Sequence, residues 1–341
     1  MKVLVTGGTG FVGCHTVSRL VRDGHEIRML VRSEDRVSPA LIPVGVNTSQ
    51  VEVLLGDVTD RDSIKRALVG VDALIHAASV YTMDKRRSKE IMATNKKGAE
   101  IVLGEASIAG LDPIIYVSSV AAVMSPEKSS VRFPVSPPTS VKIGAYVNSK
   151  ADQEVIARDL QAKGAPIVIT YPGSVAGPYD PHWGDGTLLV ENVLCGKANP
   201  VIDGNIPIVD VRDIARLHSA VLEPAKGPRR YMLSGNSIRL TELVALLGRL
   251  TGRNIRCHTA PIWLLEPIGN AMDVFQTIWP IRFRISKEAF TILKWDLGFD
   301  DSSSVKELGI KKTDLETTMI DMLRGMHSVG RISDKMLGKL A

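Results

Sequence analysis

The first thirteen residues, MKVLVTGGTGFVG, constrain the fold of this chain more than any other stretch. A short apolar strand runs into a glycine-rich turn and then into an amphipathic segment. Gly8, Gly10 and Gly13 have the spacing G-x-G-x-x-G, and Gly7 opens a second, overlapping frame. In such a turn the glycines allow a sharp reversal, close approach of a pyrophosphate and tight packing of helix on strand. The N–H groups that start the helix point at the phosphates. The sequence therefore predicts a dinucleotide site at Gly7, Gly10, Phe11, Val12 and Gly13.

Composition restricts the remaining possibilities. The 341 residues are 44% hydrophobic and 23% charged with a net charge of +5, which is ordinary for a globular protein. No long basic block with interleaved aromatics suggests nucleic-acid binding, and no apolar run approaches the ~20 residues of a membrane span. The three cysteines lack metal-ligand spacing and indicate free thiols, and no signal peptide precedes the first strand. We expect a cytoplasmic protein with a small-molecule substrate, no metal, no nucleic acid and no firm membrane signal.

The second predicted strand, at 26–31, ends at Arg32 followed by Ser33. In dinucleotide-binding folds an acidic residue at this place bonds the ribose 2′-hydroxyl. Arginine instead is suited to a 2′-phosphate, because its guanidinium binds phosphate oxygens in a bidentate manner. The sequence favours NADP(H) as the cofactor, with NAD(H) as the second option.

The third predicted strand, at 51–55, is followed by Asp57 and Val58. Asp57 stands where a carboxylate can bond the adenine edge, and it can equally cap the helix that begins near Asp60. Both residues are assigned to the cofactor site.

The fourth predicted strand, at 72–78, ends in small residues, and Ala77, Ala78 and Ser79 would let the backbone approach the cofactor. His76 is interpreted as a packing or hydrogen-bonding group, since a lone histidine after a buried strand is rarely a catalyst. Tyr81 is assigned to the substrate side of the site.

A second decisive pattern is Tyr146-Val147-Asn148-Ser149-Lys150 at the start of a predicted helix. Positions i and i+4 share a helix face, so Tyr146 and Lys150 project together. The ammonium group would lower the pKa of the phenol towards a range useful for acid–base catalysis. Ser118 or Ser119, at the end of the fifth strand, would donate a hydrogen bond to the substrate oxygen.

These motifs together resemble the extended short-chain dehydrogenase/reductase family, which includes NDP-sugar epimerases and dehydratases, dihydroflavonol reductases and 3β-hydroxysteroid dehydrogenases. The matching segments span about two thirds of the chain, in the family's order: TGGTGFVG (6–13), GDVTD (56–60), DALIHAAS (72–79), Asn95, YVSS (116–119), YVNSK (146–150), YPGSVAGP (171–178) and DVRDIA (210–215).

The resemblance implies a doubly wound parallel Rossmann sheet with a smaller, mostly helical substrate region. It implies that Tyr146 is the acid–base group, that Lys150 is its partner and binds the ribose, and that Ser119 rather than Ser118 supplies the hydroxyl. It also implies a nicotinamide-lining segment of Pro172, Gly173, Ser174 and Val175, with Tyr179 on the substrate side.

Departures from the sugar-nucleotide pattern indicate the branch. Sugar-nucleotide members often carry L-R-x-x-N-V-Y-G-P after the sixth strand, whereas this chain has Tyr171, Ser174 and Ala176 at the arginine, asparagine and tyrosine positions. These differences favour the dihydroflavonol reductase and hydroxysteroid dehydrogenase branch. We therefore expect an NAD(P)H-dependent oxidoreductase that interconverts a ketone and a secondary alcohol on a bulky, largely apolar substrate. An NDP-sugar epimerase or dehydratase with retained NAD is the alternative, and a non-catalytic dinucleotide-binding regulator ranks below it.

The predicted domains are 1–178, which holds the cofactor and the catalytic residues, and 179–341, which binds substrate. The chain is expected to return to the sheet near 205–225, with Asp213 as a helix N-cap. Residues 125–140, rich in proline and serine, are suited to a lid. The apolar segment 261–299 can be core, pocket wall or an interface, and a homodimer is left open.

Overall fold

The computed structural model describes residues 1–81, 85–126, 130–132, 136–197, 201, 203–261 and 287–341. Its strands are, in chain order, β1 (Lys2–Thr6), β2 (Glu26–Val31), β3 (Val51–Leu55), β4 (Ala73–His76), β5 (Ile114–Val117), β6 (Ser130–Arg132), β7 (Ile167–Pro172), β8 (Ser174–Ala176), β9 (Asn205–Asp210), β10 (Arg229–Leu233), β11 (Asn236–Arg239) and β12 (Gly298–Asp300).

The α-helices within those ranges alternate with the strands in the first half of the chain and predominate in the second. They are, in chain order, α1 (Phe11–Arg22), α2 (Val37–Leu41), α3 (Arg61–Leu68), α4 (Ser88–Ile108), α5 (Ala145–Ala162), α6 (Asp185–Leu194), α7 (Val211–Ala220), α8 (Leu240–Thr251), α9 (Lys287–Trp295), α10 (Ser302–Leu308), α11 (Leu315–Ser328) and α12 (Asp334–Leu337).

A seven-stranded parallel sheet, in the order β10-β7-β5-β4-β1-β2-β3, forms the centre of the molecule. Alternate residues of a strand face opposite sides of the sheet. Val3 and Val5 of β1 therefore lie in a core with α1 and α7, while Leu4 lies in a core with α3, α4 and α5. Burial on both faces explains why β1 is a continuous apolar run. The doubly wound fold expected from the sequence is confirmed.

The second half of the chain is shared between the large sheet and a smaller unit. The chain was predicted to return to the large sheet near 205–225. It does so first through α7, which packs on α1, and then through β10, which pairs with β7 at the edge of that sheet. β8, β9 and β11 form a three-stranded sheet. α6, α8 and α11 cover that sheet through a separate apolar core that includes Leu247 and Met322.

Two predicted helix caps differ from those observed. Asp60, not Asp57, caps α3, and the Asp57 carboxylate accepts hydrogen bonds from the next-but-one residue instead. Asp210, not Asp213, caps α7, while Asp213 accepts the backbone N–H of Thr313 at 2.8 Å. The reason is that an N-cap lies immediately before the first helical residue. Asp57 stands too far before α3, which begins at Arg61 as expected, whereas α7 begins at Val211, before Asp213.

Parts of two predicted segments lie outside the described residues, namely 127–129 and 133–135 of the lid and 262–286 of the apolar segment. In the described part of the apolar segment, Leu297 is buried, and Trp295 and Phe299 pack against the core beneath α4 and α5. β12 pairs in parallel with β6, so residues 298–300 of the C-terminal region pair with residues 130–132 of the predicted lid. Within the described residues, no helix combines the length and apolar character needed to cross a bilayer.

Candidate active site

The glycine-rich turn joins β1 to α1 at the carboxyl edge of the sheet. Gly7 has a φ of +77°, and a Cβ there would overlap the backbone of Ala77 and Ala78 after β4. A Cβ at Gly13 would overlap the Gly7 carbonyl group, which also accepts the Gly10 N–H at 2.9 Å. The frame that begins at Gly7 is therefore the one that shapes the turn. A Cβ at Gly8 would meet only the flexible end of the Met29 side chain.

The N-terminus of α1 is suited to an anion. Its N-cap, Gly10, makes no side-chain hydrogen bond to the helix, and the first turn, which includes Phe11, Val12 and Gly13, has no acidic residue. The first N–H groups of an α-helix have no partner within the helix and carry the positive end of its dipole. A pyrophosphate fits here, because the turn at Gly7 and Gly13 has no room for a Cβ and the N-terminus of α1 has no side-chain cap.

The segment after β4 continues this surface. The Ala77 N–H bonds the Thr6 carbonyl at 3.0 Å, and the Asn95 amide of α4 clamps both backbone groups of Val80. The buried Oγ of Ser79 has no hydrogen-bond partner among the described residues, an unusual state for a buried hydroxyl and one that a bound ligand would relieve. Ser79 therefore fits the cofactor role predicted for it.

Two other predicted cofactor residues follow neighbouring strands. Arg32 lies exposed directly after β2. The pKa of Glu90 on α4 is lowered mainly by its hydrogen bond with Arg87, and Arg32 is close enough to lower it further by a smaller amount. Asp57, beyond β3, bonds both the backbone N–H and the hydroxyl of Thr59, at 2.8 and 2.7 Å. Val58 lies against Gly98 of α4. The carboxyl ends of β1, β2, β3 and β4 thus share one edge, where open α/β sheets bind their ligands.

Two adjacent serines at the end of β5 point in different directions. The Ser119 side chain lies close enough to Tyr146, near the start of α5, to lower the pKa of its phenol. The Ser118 hydroxyl is buried and donates to Glu154 at 2.8 Å. Of the two serines that the strand pattern leaves open, Ser119 is the one brought to the tyrosine.

The pKa of Tyr146 differs from the expectation drawn from its neighbour Lys150. Burial raises the pKa of Tyr146 to about 12, the nearby Ser119 side chain lowers it, and the carboxylates of Glu288 and Asp185 raise it further. The predicted lowering by Lys150 is wrong for this structure: burial is the largest influence on the Tyr146 phenol and raises its pKa, and Lys150 is not among the groups that act on it. Tyr146 is a protonated group, able to donate to a substrate oxygen.

Lys150 is 5% exposed and donates to the Val117 carbonyl at 3.2 Å. Burial lowers the pKa of Lys150 to about 8, and the nearby Glu154 carboxylate opposes that change. Its ammonium lies 5.9 Å from the centre of the Tyr116 ring. The group is thus held at the end of β5, one helical turn from Tyr146, with a pKa near neutrality.

Glu154 is a residue that the sequence reasoning missed. It is fully buried on α5, and besides Ser118 it accepts hydrogen bonds from Tyr171 at 2.5 Å and Arg158 at 2.7 Å. Arg158 in turn donates to the Ser136 carbonyl at 3.0 Å. The signal that could have found it is its position four residues after Lys150, on the same helix face.

The remaining predicted residues surround this centre. Pro172 ends β7, and Gly173 has no room for a Cβ, which would lie 2.7 Å from the Pro207 carbonyl oxygen; Ser174 and Val175 follow in β8. The Tyr81 ring meets the Tyr146 ring edge to face, with 4.7 Å between centroids.

Tyr179 lies in the loop after β8, with a φ of 58° and its backbone against Gly325 of α11. The described contacts therefore join Tyr81 to Tyr146 and join Tyr179 to α11.

Comparison with known proteins agrees with this geometry. The family described as NAD dependent epimerase/dehydratase matches residues 3–234. A protein of Synechocystis sp. named as a dihydroflavonol 4-reductase is 27% identical over 337 residues, covering 96% of this chain and 95% of that protein. Sterol demethylase protein B of Methylococcus capsulatus is 26% identical over 341 residues, covering 97% of this chain and 100% of that protein.

Solved structures give the same fold. The crystal structure of gox2253 has a TM-score of 0.82 at 27% identity, covering 97% of this chain and 99% of that one. UDP-glucose 4-epimerase of Bifidobacterium longum, in complex with NAD+ and UDP, has a TM-score of 0.75 at 21% identity, covering 97% and 99%. The chain therefore belongs to the NAD dependent epimerase/dehydratase family of NAD(P)-dependent enzymes.

Proposed function

We propose that this protein is an NADP(H)-dependent oxidoreductase that interconverts a ketone and a secondary alcohol on a bulky, largely apolar substrate. The observation that carries the proposal is the proximity of the Ser119 side chain, just after β5, to Tyr146 of α5, with Lys150 one helical turn further along that helix. This arrangement places two hydroxyl groups where a substrate oxygen can receive a hydrogen bond from one and a proton from the other.

Each of the three residues has its own part in the reaction. The nicotinamide, when bound, supplies or accepts the hydride. Ser119 polarises the substrate carbonyl, and Tyr146 gives a proton to its oxygen in reduction or takes one in oxidation. Lys150, with a pKa of about 8, binds the ribose and restores the proton to Tyr146.

The preference for NADP(H) rests on Arg32. Its side chain is exposed at the end of β2, at the place where an acidic residue would repel a 2′-phosphate. A guanidinium there attracts that phosphate through charge-assisted hydrogen bonds.

Two features support a neutral, apolar substrate over a sugar nucleotide. Glu288 and Asp185 are close enough to raise the pKa of Tyr146, so the surroundings of that phenol are negative and disfavour an anionic substrate. The aromatic ring of Tyr81, 46% exposed and in contact with the Tyr146 ring, offers apolar surface beside that group. The similar proteins named for dihydroflavonol and sterol chemistry agree with such a substrate.

The test is nicotinamide absorbance followed over time with purified protein. NADPH and NADH are offered in turn, against bulky ketones, hydroxysteroids and UDP- or dTDP-sugars. We expect net loss of NADPH with an apolar ketone. A sugar nucleotide converted with no net change in absorbance would establish the epimerase or dehydratase alternative and refute the proposal.

A further inference from the structure

Glu288 joins the C-terminal part of the chain to the start of the catalytic helix. Its side chain on α9 is 6% exposed, and its Oε1 accepts the backbone N–H of Val147 at 2.8 Å. Val147 directly follows Tyr146 in the first turn of α5. A residue remote in the sequence thus supplies a hydrogen-bond acceptor to the helix that bears the proposed proton donor.

α5 has no acceptor of its own at this end. Its N-cap, Gly144, has no side chain, and the first turn contains no acidic residue. A Cβ at Gly144 would collide with the carboxyl group of Glu288. Gly144 has extended backbone, so space and not conformation requires glycine here. The Glu288 carboxylate occupies the position that an N-capping side chain usually takes.

The same carboxylate acts on Tyr146 through space. The groups around that phenol are Ser119 after β5, Tyr116 of β5, Tyr81 beyond β4, Asp185 from α6 and Glu288 from α9. Both carboxylates raise the pKa of Tyr146, and Glu288 has the larger effect of the two.

We propose that Glu288 is a positioning residue for the reaction: its carboxylate, which occupies the N-cap position, fixes the first turn of α5 and sets a negative charge beside the turn that bears Tyr146. The inference rests on the proposed role of Tyr146 as proton donor. It adds a remote acid, contributed by the C-terminal region, to the residues that govern proton transfer.

Two substitutions separate the hydrogen bond from the charge. Glu288→Gln keeps an oxygen that can accept the Val147 N–H and removes the charge, whereas Glu288→Ala removes both. Gly144→Ala displaces the carboxylate while leaving residue 288 intact. Asp314→Asn is the matched control, because Asp314 caps α11 by accepting the Thr317 N–H at 2.8 Å and lies outside the site.

Two readouts are needed for each variant. One is the pH dependence of kcat/KM, and the other is the ultraviolet titration of phenolate, with Tyr146→Phe subtracted to isolate Tyr146. For Glu288→Gln we expect the midpoint of the kcat/KM profile and the midpoint of the Tyr146 titration to shift to lower pH by roughly half a unit or more. In Glu288→Ala and Gly144→Ala both midpoints should also shift to lower pH. These two variants should in addition lose about tenfold in kcat, since a loosened first turn of α5 misplaces the phenol. Asp314→Asn should lower the melting temperature and leave both pH profiles unchanged.

Coincident titrations of Tyr146 in wild type and Glu288→Gln would overturn the inference. A kcat of wild-type size in both Glu288→Ala and Gly144→Ala would overturn the positioning part. Failure of the proposed function looks different, since Tyr146→Phe would then retain turnover while the ultraviolet titration still reports the effect of Glu288.

Discussion

The side chain of Ser119 lies close enough to the phenol of Tyr146 to lower its pKa, although Ser119 follows β5 and Tyr146 lies in the first turn of α5. Parallel strands end at one edge of the sheet, and the helix that follows the predicted lid begins at that same edge. The pair therefore depends on the whole fold and not on a local turn.

Tyr146→Phe should reduce kcat by about 10²–10⁴, the usual contribution of a positioned acid or base. NADPH binding, followed by its fluorescence, should change little because the phenol is not among the predicted cofactor contacts. Tyr231→Phe is the matched control, since that hydroxyl bonds Glu307 at 2.6 Å on the far edge of the sheet. Full turnover after the substitution of Tyr146 would contradict its assignment as the proton donor.

Ser119→Ala should reduce kcat by roughly 10²–10³, as expected for loss of one donor to a developing oxyanion. Ser118→Ala serves as the comparison, because that hydroxyl is committed to Glu154. A larger loss of kcat in Ser118→Ala, with the fold intact by circular dichroism, would reverse the assignment of the two serines.

Arg32→Ala should weaken NADPH binding by about 10- to 100-fold and leave NADH binding nearly unchanged, because a hydrogen bond to a charged group contributes about 1.5–3 kcal/mol. Dissociation constants from fluorescence titration measure this directly. Arg249→Ala removes a surface arginine paired with Glu316 and controls for net charge. Equal losses for both nucleotides would show that Arg32 does not read the 2′-phosphate.

Gly13→Ala should destabilise the protein by about 1–3 kcal/mol, the common cost of forcing atoms into a filled space, and it should abolish cofactor binding. Urea unfolding and NADPH fluorescence measure the two effects. Gly104→Ala, inside α4 and with open space around its Cα among the described residues, should instead gain about 0.5–1 kcal/mol. Similar effects of both substitutions would mean that the close approach to Gly7 is unimportant.

Lys150 should make stability depend on pH. Its pKa is about 8 in the folded protein and 10.5 ordinarily, so the unfolded chain binds more protons between these values. The free energy of unfolding should therefore rise with pH across that window. Lys150→Met should remove this rise and add about 3 kcal/mol at pH 7, where the buried charge is fully present. Lys163→Met, at an exposed position, is the control, and parallel pH profiles for wild type and Lys150→Met would contradict the low pKa.

The sequence patterns predicted those features of the fold that depend on residues close together in the chain. The glycine spacing identified the β1–α1 turn because only glycine tolerates the φ of Gly7 and the contact at Gly13. Apolar runs identified β2 and β3 with the observed bounds. β2 is buried on both faces, whereas β3, at the edge of the sheet, is only partly buried. The spacing of Tyr146 and Lys150 placed them on one helix face.

What the sequence could not supply depends on chain segments far apart. The pKa of Tyr146 was predicted in the wrong direction, because the burial that raises it arises only in the folded site. The link from Glu288 to Val147 spans two regions with no shared motif. Helix starts decided whether Asp57 or Asp60, and Asp210 or Asp213, act as caps, and such boundaries depend on packing that a single sequence does not display.

The position of β10 has a consequence for how the protein is made. β10 pairs with β7, yet between them the chain builds β8, β9, α6 and α7. On the ribosome, the N-terminal cofactor half must therefore wait with the backbone groups of β7 unpaired on one side until Arg229–Leu233 emerges. An open strand edge invites pairing with other chains. Early termination before residue 229 should thus yield an aggregating fragment rather than a free-standing nucleotide-binding domain.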